Sequence, residues 1–125
     1  MQRDPEALQA HLDKWRGRPL DYNAMDCARF AADWAGVELK AWHSERSALK
    51  AVKAYGARRV ADAVDTVLTP RIMAGLARWG DIVALDTYPL DTLGICEGAR
   101  CIFLDGKGGY IRKPLRECFR AWEVE

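Results

Sequence analysis

The chain has 125 residues, half of them apolar and 30% charged, with 19 basic against 18 acidic side chains. That is the make-up of one globular domain able to bury a core without staples, and a net charge of +1 gives no electrostatic pull toward nucleic acid or an anionic membrane. No apolar run approaches the roughly 20 residues needed to span a bilayer, and the polar opening Met1-Gln2-Arg3-Asp4-Pro5 does not have the form of a signal peptide.

Helices fill the first half. Asp4 followed by Pro5 and Glu6 is a helix start, a capping carboxylate and then proline at the first helical position. Leu8, Leu12 and Trp15 share one face, and Gly17 and Pro19 end the helix. A second helix opens near Asp26, shows Cys27, Phe30, Ala31 and Trp34 on one side, and stops near Gly36. A third is expected from about Ser44 to Tyr55 on Leu49, Val52 and Tyr55, broken by Gly56. Val60, Ala63, Val64 and Val67 predict a fourth, stopped by Thr69-Pro70, which caps a short segment through Leu76.

From Gly80 the pattern turns to strands. Ile82-Val83-Ala84-Leu85 reads as a buried strand between Asp81 and Asp86, Leu93-Gly94-Ile95-Cys96 as a second, and Cys101-Ile102-Phe103-Leu104 as a third. Asp105-Gly106-Lys107-Gly108-Gly109 is a turn rich in residues that tolerate positive φ, leading into Tyr110-Ile111-Arg112. After Pro114, the alternation of Cys118 through Val124 predicts a last strand. Helices over about 4–76 followed by strands over about 81–124 make a single α+β domain, a helical half packed on a small antiparallel sheet.

The four cysteines, Cys27, Cys96, Cys101 and Cys118, form no C-x-x-C pair, and reduced thiols are expected. The two histidines, His11 and His43, lie far from them with no paired ligand spacing, so neither a metal nor a cofactor is called for.

Cys27 has two readings. A thiol on the first turn of a helix feels the positive end of the macrodipole, which favours thiolate and is where cysteine enzymes keep a nucleophile. Against this, most free cysteines are small buried hydrophobes. Asp26 caps the helix, or sits near the thiol and opposes its ionisation. Tyr22 walls a cleft, offers a hydroxyl, or packs on the first helix. His43 is a surface histidine beside a helix start; it becomes a base only if the loop after Gly36 folds back over Cys27. His11 falls on the polar side of the first helix, where it is solvated. Lys50, Lys53, Arg58 and Arg59 lack a phosphate loop and read as a solvated helix face. The tryptophans Trp15, Trp34, Trp42, Trp79 and Trp122 belong mostly to the core, with one or two as candidate partner anchors.

The order of these features resembles the NlpC-like cell-wall cysteine peptidases, a compact papain-like family. Asp26-Cys27 matches its nucleophile motif, Trp79-Gly80-Asp81-Ile82-Val83 its Gly-Asp strand entry, and Leu93-Gly94-Ile95-Cys96-Glu97-Gly98 its second strand. Leu12-Asp13-Lys14-Trp15, Pro19 and Arg120-Ala121-Trp122 look like a short phage and prophage branch usually encoded among tail genes. In that alignment Thr92 occupies the position of the catalytic histidine, and Asn23-Ala24-Met25 replaces the glycine-rich loop before the nucleophile. Cys101-Ile102-Phe103 offers no clear counterpart to the polar residue that orients the imidazole.

Threonine takes no proton from a thiol near neutral pH, so the resemblance implies a peptidase fold without its base. The expectation is a component of a phage tail tip that docks onto other tail proteins. It would be made in the bacterial cytoplasm and carried in the virion tail, with no nucleic-acid partner and no membrane span. The alternative is an active cysteine peptidase or amidase on peptidoglycan peptides, using Cys27 with an unconventional base such as His43.

Overall fold

The structure, a computed structural model, describes residues 4–17, 25–37 and 48–124. Helix α1, Pro5–Trp15, starts as its sequence dictates: Asp4 accepts a hydrogen bond from the Ala7 amide at 2.8 Å and Pro5 opens the first turn. Its buried face is Leu8, His11, Leu12 and Trp15. Helix α2, Met25–Ala35, buries Cys27, Ala28, Phe30, Ala31 and Trp34. Helix α3, Ala48–Ala54, buries Ala51 and Val52, and helix α4, Val60–Val64, buries Val60, Ala61, Ala63 and Val64.

Five strands follow: β1 (Ile82–Leu85), β2 (Thr92–Cys96), β3 (Arg100–Leu104), β4 (Tyr110–Pro114) and β5 (Arg120–Trp122). They form an antiparallel sheet in the order β4-β3-β2-β1-β5. The molecule is therefore α+β. Between β4 and β5 the chain passes from one edge of the sheet to the other through a 3-10 turn at Leu115–Glu117.

Strand alternation divides the core in two. Ile82, Ala84, Leu93, Ile95, Ile102 and Trp122 face the helices. Val83, Cys96, Cys101, Phe103 and Ala121 face the other way, where Cys118 and the partly buried Ala74, Ala77 and Leu115 pack on them. Gly94 is required on this second face. A Cβ there would sit 2.5 Å from the Phe103 ring and closer still to the Ile102 carbonyl oxygen.

Several sequence expectations need correction. The fourth helix ends at Val64, and Val67 and Leu68 continue it only as turns on the Val64 carbonyl. Thr69, Pro70 and Arg71 instead run beside β5, with the Arg71 amide donating to the Ala121 carbonyl at 2.8 Å and the Glu123 amide to the Thr69 carbonyl at 2.8 Å. The last strand is confined to Arg120–Trp122 because Cys118 closes the preceding 3-10 turn on the Leu115 carbonyl. Of the third helix, residues 44–47 lie outside the described residues, and the helix ends at Ala54, with Tyr55 in the turn that follows.

Candidate functional site

Cys27 lies on the first turn of α2, and α2 packs across β2. The residue is 9% exposed, and its thiol faces the Asp91 carbonyl oxygen at 3.9 Å, immediately before the start of β2. The fold therefore brings the cysteine to the entry of β2.

Which side chain of that entry shares the cysteine's side of the sheet is decided by alternation. Leu93 and Ile95 face the helices, and Asp91 is in phase with them. Thr92 is opposite Leu85, which packs on the second face, and its hydroxyl is 2.9 Å from that of Thr87. Cys27 and Thr92 are thus close along the backbone while their side chains lie on opposite faces. On the helix side, the polar side chain next to the start of β2 is Asp91, directed toward α4.

Asp91 is 0% exposed and fully engaged. Its carboxylate accepts from Arg59 Nε at 2.8 Å, Arg59 Nη2 at 2.5 Å and the Ala61 amide at 3.0 Å. The last of these is an N-cap supplied in trans: α4 has no capping side chain of its own at Arg59. The Val60 amide likewise donates to the Pro89 carbonyl at 3.0 Å. Arg59 also pairs with the exposed Asp86 at 2.5 Å and lies over the rings of Phe119 and Tyr88, at 4.4 and 5.1 Å to their centroids. Its guanidinium is held above its ordinary range, first by the hydrogen bonds to Asp91, while the bond to Arg59 holds the Asp86 carboxyl below its own. Arg59 is therefore the hub of a carboxylate clamp rather than part of a solvated helix face, because it ends the loop ahead of α4 and turns toward Asp91.

The opposite end of the β1–β2 hairpin carries a matching pair. Asp81, buried, accepts from Arg71 Nε at 2.9 Å, the Arg78 amide at 2.8 Å and the Val124 amide at 3.2 Å. The bond to Asp81 raises the Arg71 guanidinium above its usual range. Trp34 Nε1 donates to the adjoining Gly80 carbonyl at 2.7 Å, fixing the far half of α2 to the strand entry. A depression of about 250 Å³ lined by Ala35, Val67, Leu68, Thr69 and Glu123 opens at that end of α2, away from Cys27.

His11 is buried, not solvated. Its Nε2 is 3.0 Å from the Phe30 carbonyl oxygen, its Nδ1 is 3.7 Å from Asp33, and its ring packs among Trp15, Phe30 and Trp34. The signal was present in the spacing, since residue 11 is three after Leu8 and four before Trp15. The phase of Asp91 with Leu93 and Ile95 was a second readable signal. Asp26 falls inside the first turn of α2, which begins one residue earlier at Met25, and its side chain is outside the described part of the chain. His43, Tyr22 and Trp42 lie outside the described residues.

Among the described residues no three histidine, cysteine or carboxylate groups are disposed to hold a metal ion, and no helix is long and apolar enough to cross a membrane. No curated protein and no solved structure matches the chain. One family does match, a domain of unknown function designated DUF6950, over residues 2–124. With nearly its whole length covered, the chain belongs to that family.

Proposed function

We propose that this chain is a phage or prophage tail-tip component with a degenerate NlpC-like, papain-like fold, acting by docking onto other tail proteins rather than by hydrolysis. The observation that carries the reading is the strand entry beside Cys27. Cys27 sits on a helix start with its thiol against the Asp91 backbone carbonyl, and the carboxylate of that same residue is held by Arg59 and the Ala61 amide. A carboxylate so engaged does not serve as base to the thiol or as acid to a leaving amine. Docking is supported at another place, the segment between Arg71 and Arg78. Ile72 is 94% exposed, and Met73 and Leu76 project beside it. This apolar tip is held firmly by the Arg71–Asp81 pair and the backbone bonds to β5. Large apolar side chains presented on a fixed segment are characteristic of interaction sites.

Two measurements test the two halves of the reading. Purified particles of the phage or prophage that encodes the chain should contain it, and Ile72→Asp with Leu76→Asp should remove it from particles while leaving its thermal midpoint unchanged. Absence of the wild-type chain from particles ends the tail assignment. Peptidoglycan stem peptides should remain intact on incubation. Turnover that disappears in both Cys27→Ser and His43→Ala would establish the active peptidase instead.

A further inference from the structure

Three of the four thiols are gathered on the second face of the sheet, remote from Cys27. Cys96 and Cys101 are register partners on β2 and β3. The Glu97 amide donates to the Arg100 carbonyl one step further along, so the Cys96–Cys101 pair is of the non-hydrogen-bonded kind, in which side chains approach most closely. Cys118, arriving on the segment that crosses from β4 to β5, has its Sγ 4.0 Å from that of Cys101. All three are reduced.

We propose that Cys118 and Cys101 are an oxidation site, at which a peroxide-class two-electron oxidant joins them in a disulfide that ties the crossing segment to β3. Cys118 reacts first because it retains 8% exposure, whereas Cys101 and Cys96 are fully buried. Cys96 is moreover occupied locally, donating to the Gly98 carbonyl at 3.2 Å and accepting from the Gly98 amide at 3.4 Å. The electrostatics agree with this order. The hydrogen bond with Cys101 holds the Cys118 thiol below its ordinary pKa, while the bonds with Cys118 and Cys96 push Cys101 up. Cys96 is drawn down to about 7 by its bond with Cys101, but lacks the access that Cys118 has.

The chemistry balances. The Cys118 thiolate attacks the peroxide, an S–O bond forms as the O–O bond breaks, and the departing hydroxide takes up the proton that Cys118 released. The Cys101 sulfur then attacks the sulfenic sulfur; the S–S bond forms, the S–O bond breaks, and the hydroxyl leaves with the Cys101 proton as water. Two thiols and one peroxide give one disulfide and two waters.

The test uses the folded, full-length chain treated with hydrogen peroxide, alkylated under denaturing conditions and digested without reduction. Cleavage after Arg100, Lys107, Arg116 and Arg120 separates the three thiols into different peptides. The expected product is a single linked pair carrying Cys101 and Cys118, short of two hydrogens, with Cys96 alkylated. The same pair should form in Cys96→Ala and vanish when the protein is oxidised in urea. A dominant Cys96–Cys101 link, a link between two chains, sulfinic acid on unpaired thiols, or three fully alkylated cysteines would each overturn the proposal, and all are read on the wild-type protein.

Discussion

Removing the Asp91 carboxylate should be among the most damaging single changes available in this chain. In Asp91→Ala the Arg59 guanidinium loses two charge-assisted hydrogen bonds, at 2.8 and 2.5 Å, and among the described residues keeps the exposed Asp86 as its one carboxylate partner. The Ala61 amide, buried at the start of α4, loses its acceptor as well. Breaking a buried pair by deleting one member costs about 3–5 kcal/mol, and loss of a helix cap typically about 1 kcal/mol. The retained Asp86 offsets part of this, so a loss of about 3–5 kcal/mol in total is expected. That is a large share of the roughly 5–15 kcal/mol by which a domain is stable. Urea unfolding followed by tryptophan fluorescence measures it. Arg59→Met in the Asp91→Ala background should cost less than the two single changes added together, since the double variant buries no unpaired charge. Asp86→Asn should have little effect by comparison. A loss under about 1 kcal/mol for Asp91→Ala, the scale of a surface ion pair, or strict additivity with Arg59→Met, would refute the clamp. The same variant loosens the strand entry beside Cys27, so alkylation of that thiol should accelerate in it.

Three other outcomes follow from the geometry. Gly94→Ala forces a methyl against the Phe103 ring and the Ile102 carbonyl and should cost at least the roughly 1–3 kcal/mol of an overpacked core, whereas Gly75→Ala meets open space and should leave the thermal midpoint nearly unchanged. Stability should fall in acid. Asp33 is lowered although burial, the largest influence, opposes it, because hydrogen bonds from Lys14 and Trp15 prevail; Asp86 is lowered by Arg59 and Asp105 by the Lys107 and Gly109 amides. A carboxyl whose folded pKa is depressed contributes fully above its unfolded pKa, about 4, and loses that contribution as pH falls through the folded value. Urea midpoints should therefore hold between pH 7 and 5 and drop toward pH 3, less steeply in Asp33→Asn; an unchanged slope in that variant removes Asp33 from the account. Thr92→His should leave the pH profile of Cys27 alkylation unaltered because residue 92 projects from the other face; a new inflection near the ordinary histidine pKa would show that the two side chains do meet.

Much of the scaffold could be read from the chain itself because its determinants are local. Ile82–Leu85 stands as expected from an apolar run fenced by Asp81 and Asp86, and Asp4-Pro5 starts α1 where a capping acid and a proline require. Gly94-Ile95 sits in its strand, and the Asp105–Gly109 turn joins β3 to β4. The site was less legible because its governing contacts span long stretches of sequence. The cap of α4 is thirty residues away at Asp91, and the bond that makes Arg59 a hub depends on the same distant carboxylate. Arg59 and its basic neighbours look alike in sequence, and only the tertiary partner separates a clamp from a solvated charge. His11 differs: its apolar phase was visible, and a polar label outweighed it.

The trans-cap on α4 has a consequence for the order in which the chain assembles. A helix of five residues does not persist in water by itself, since nucleation is unfavourable and so few turns follow. Its first amides are satisfied by Pro89 and Asp91, groups that come into place only once the connection between β1 and β2 has formed. Helix α4 is thus a late element, templated by the hairpin, although it precedes it in the chain. The Ala61 amide should accordingly exchange its hydrogen only through openings that also release the hairpin, with protection matching that of β1 and β2 and exceeding what so short a helix sustains alone.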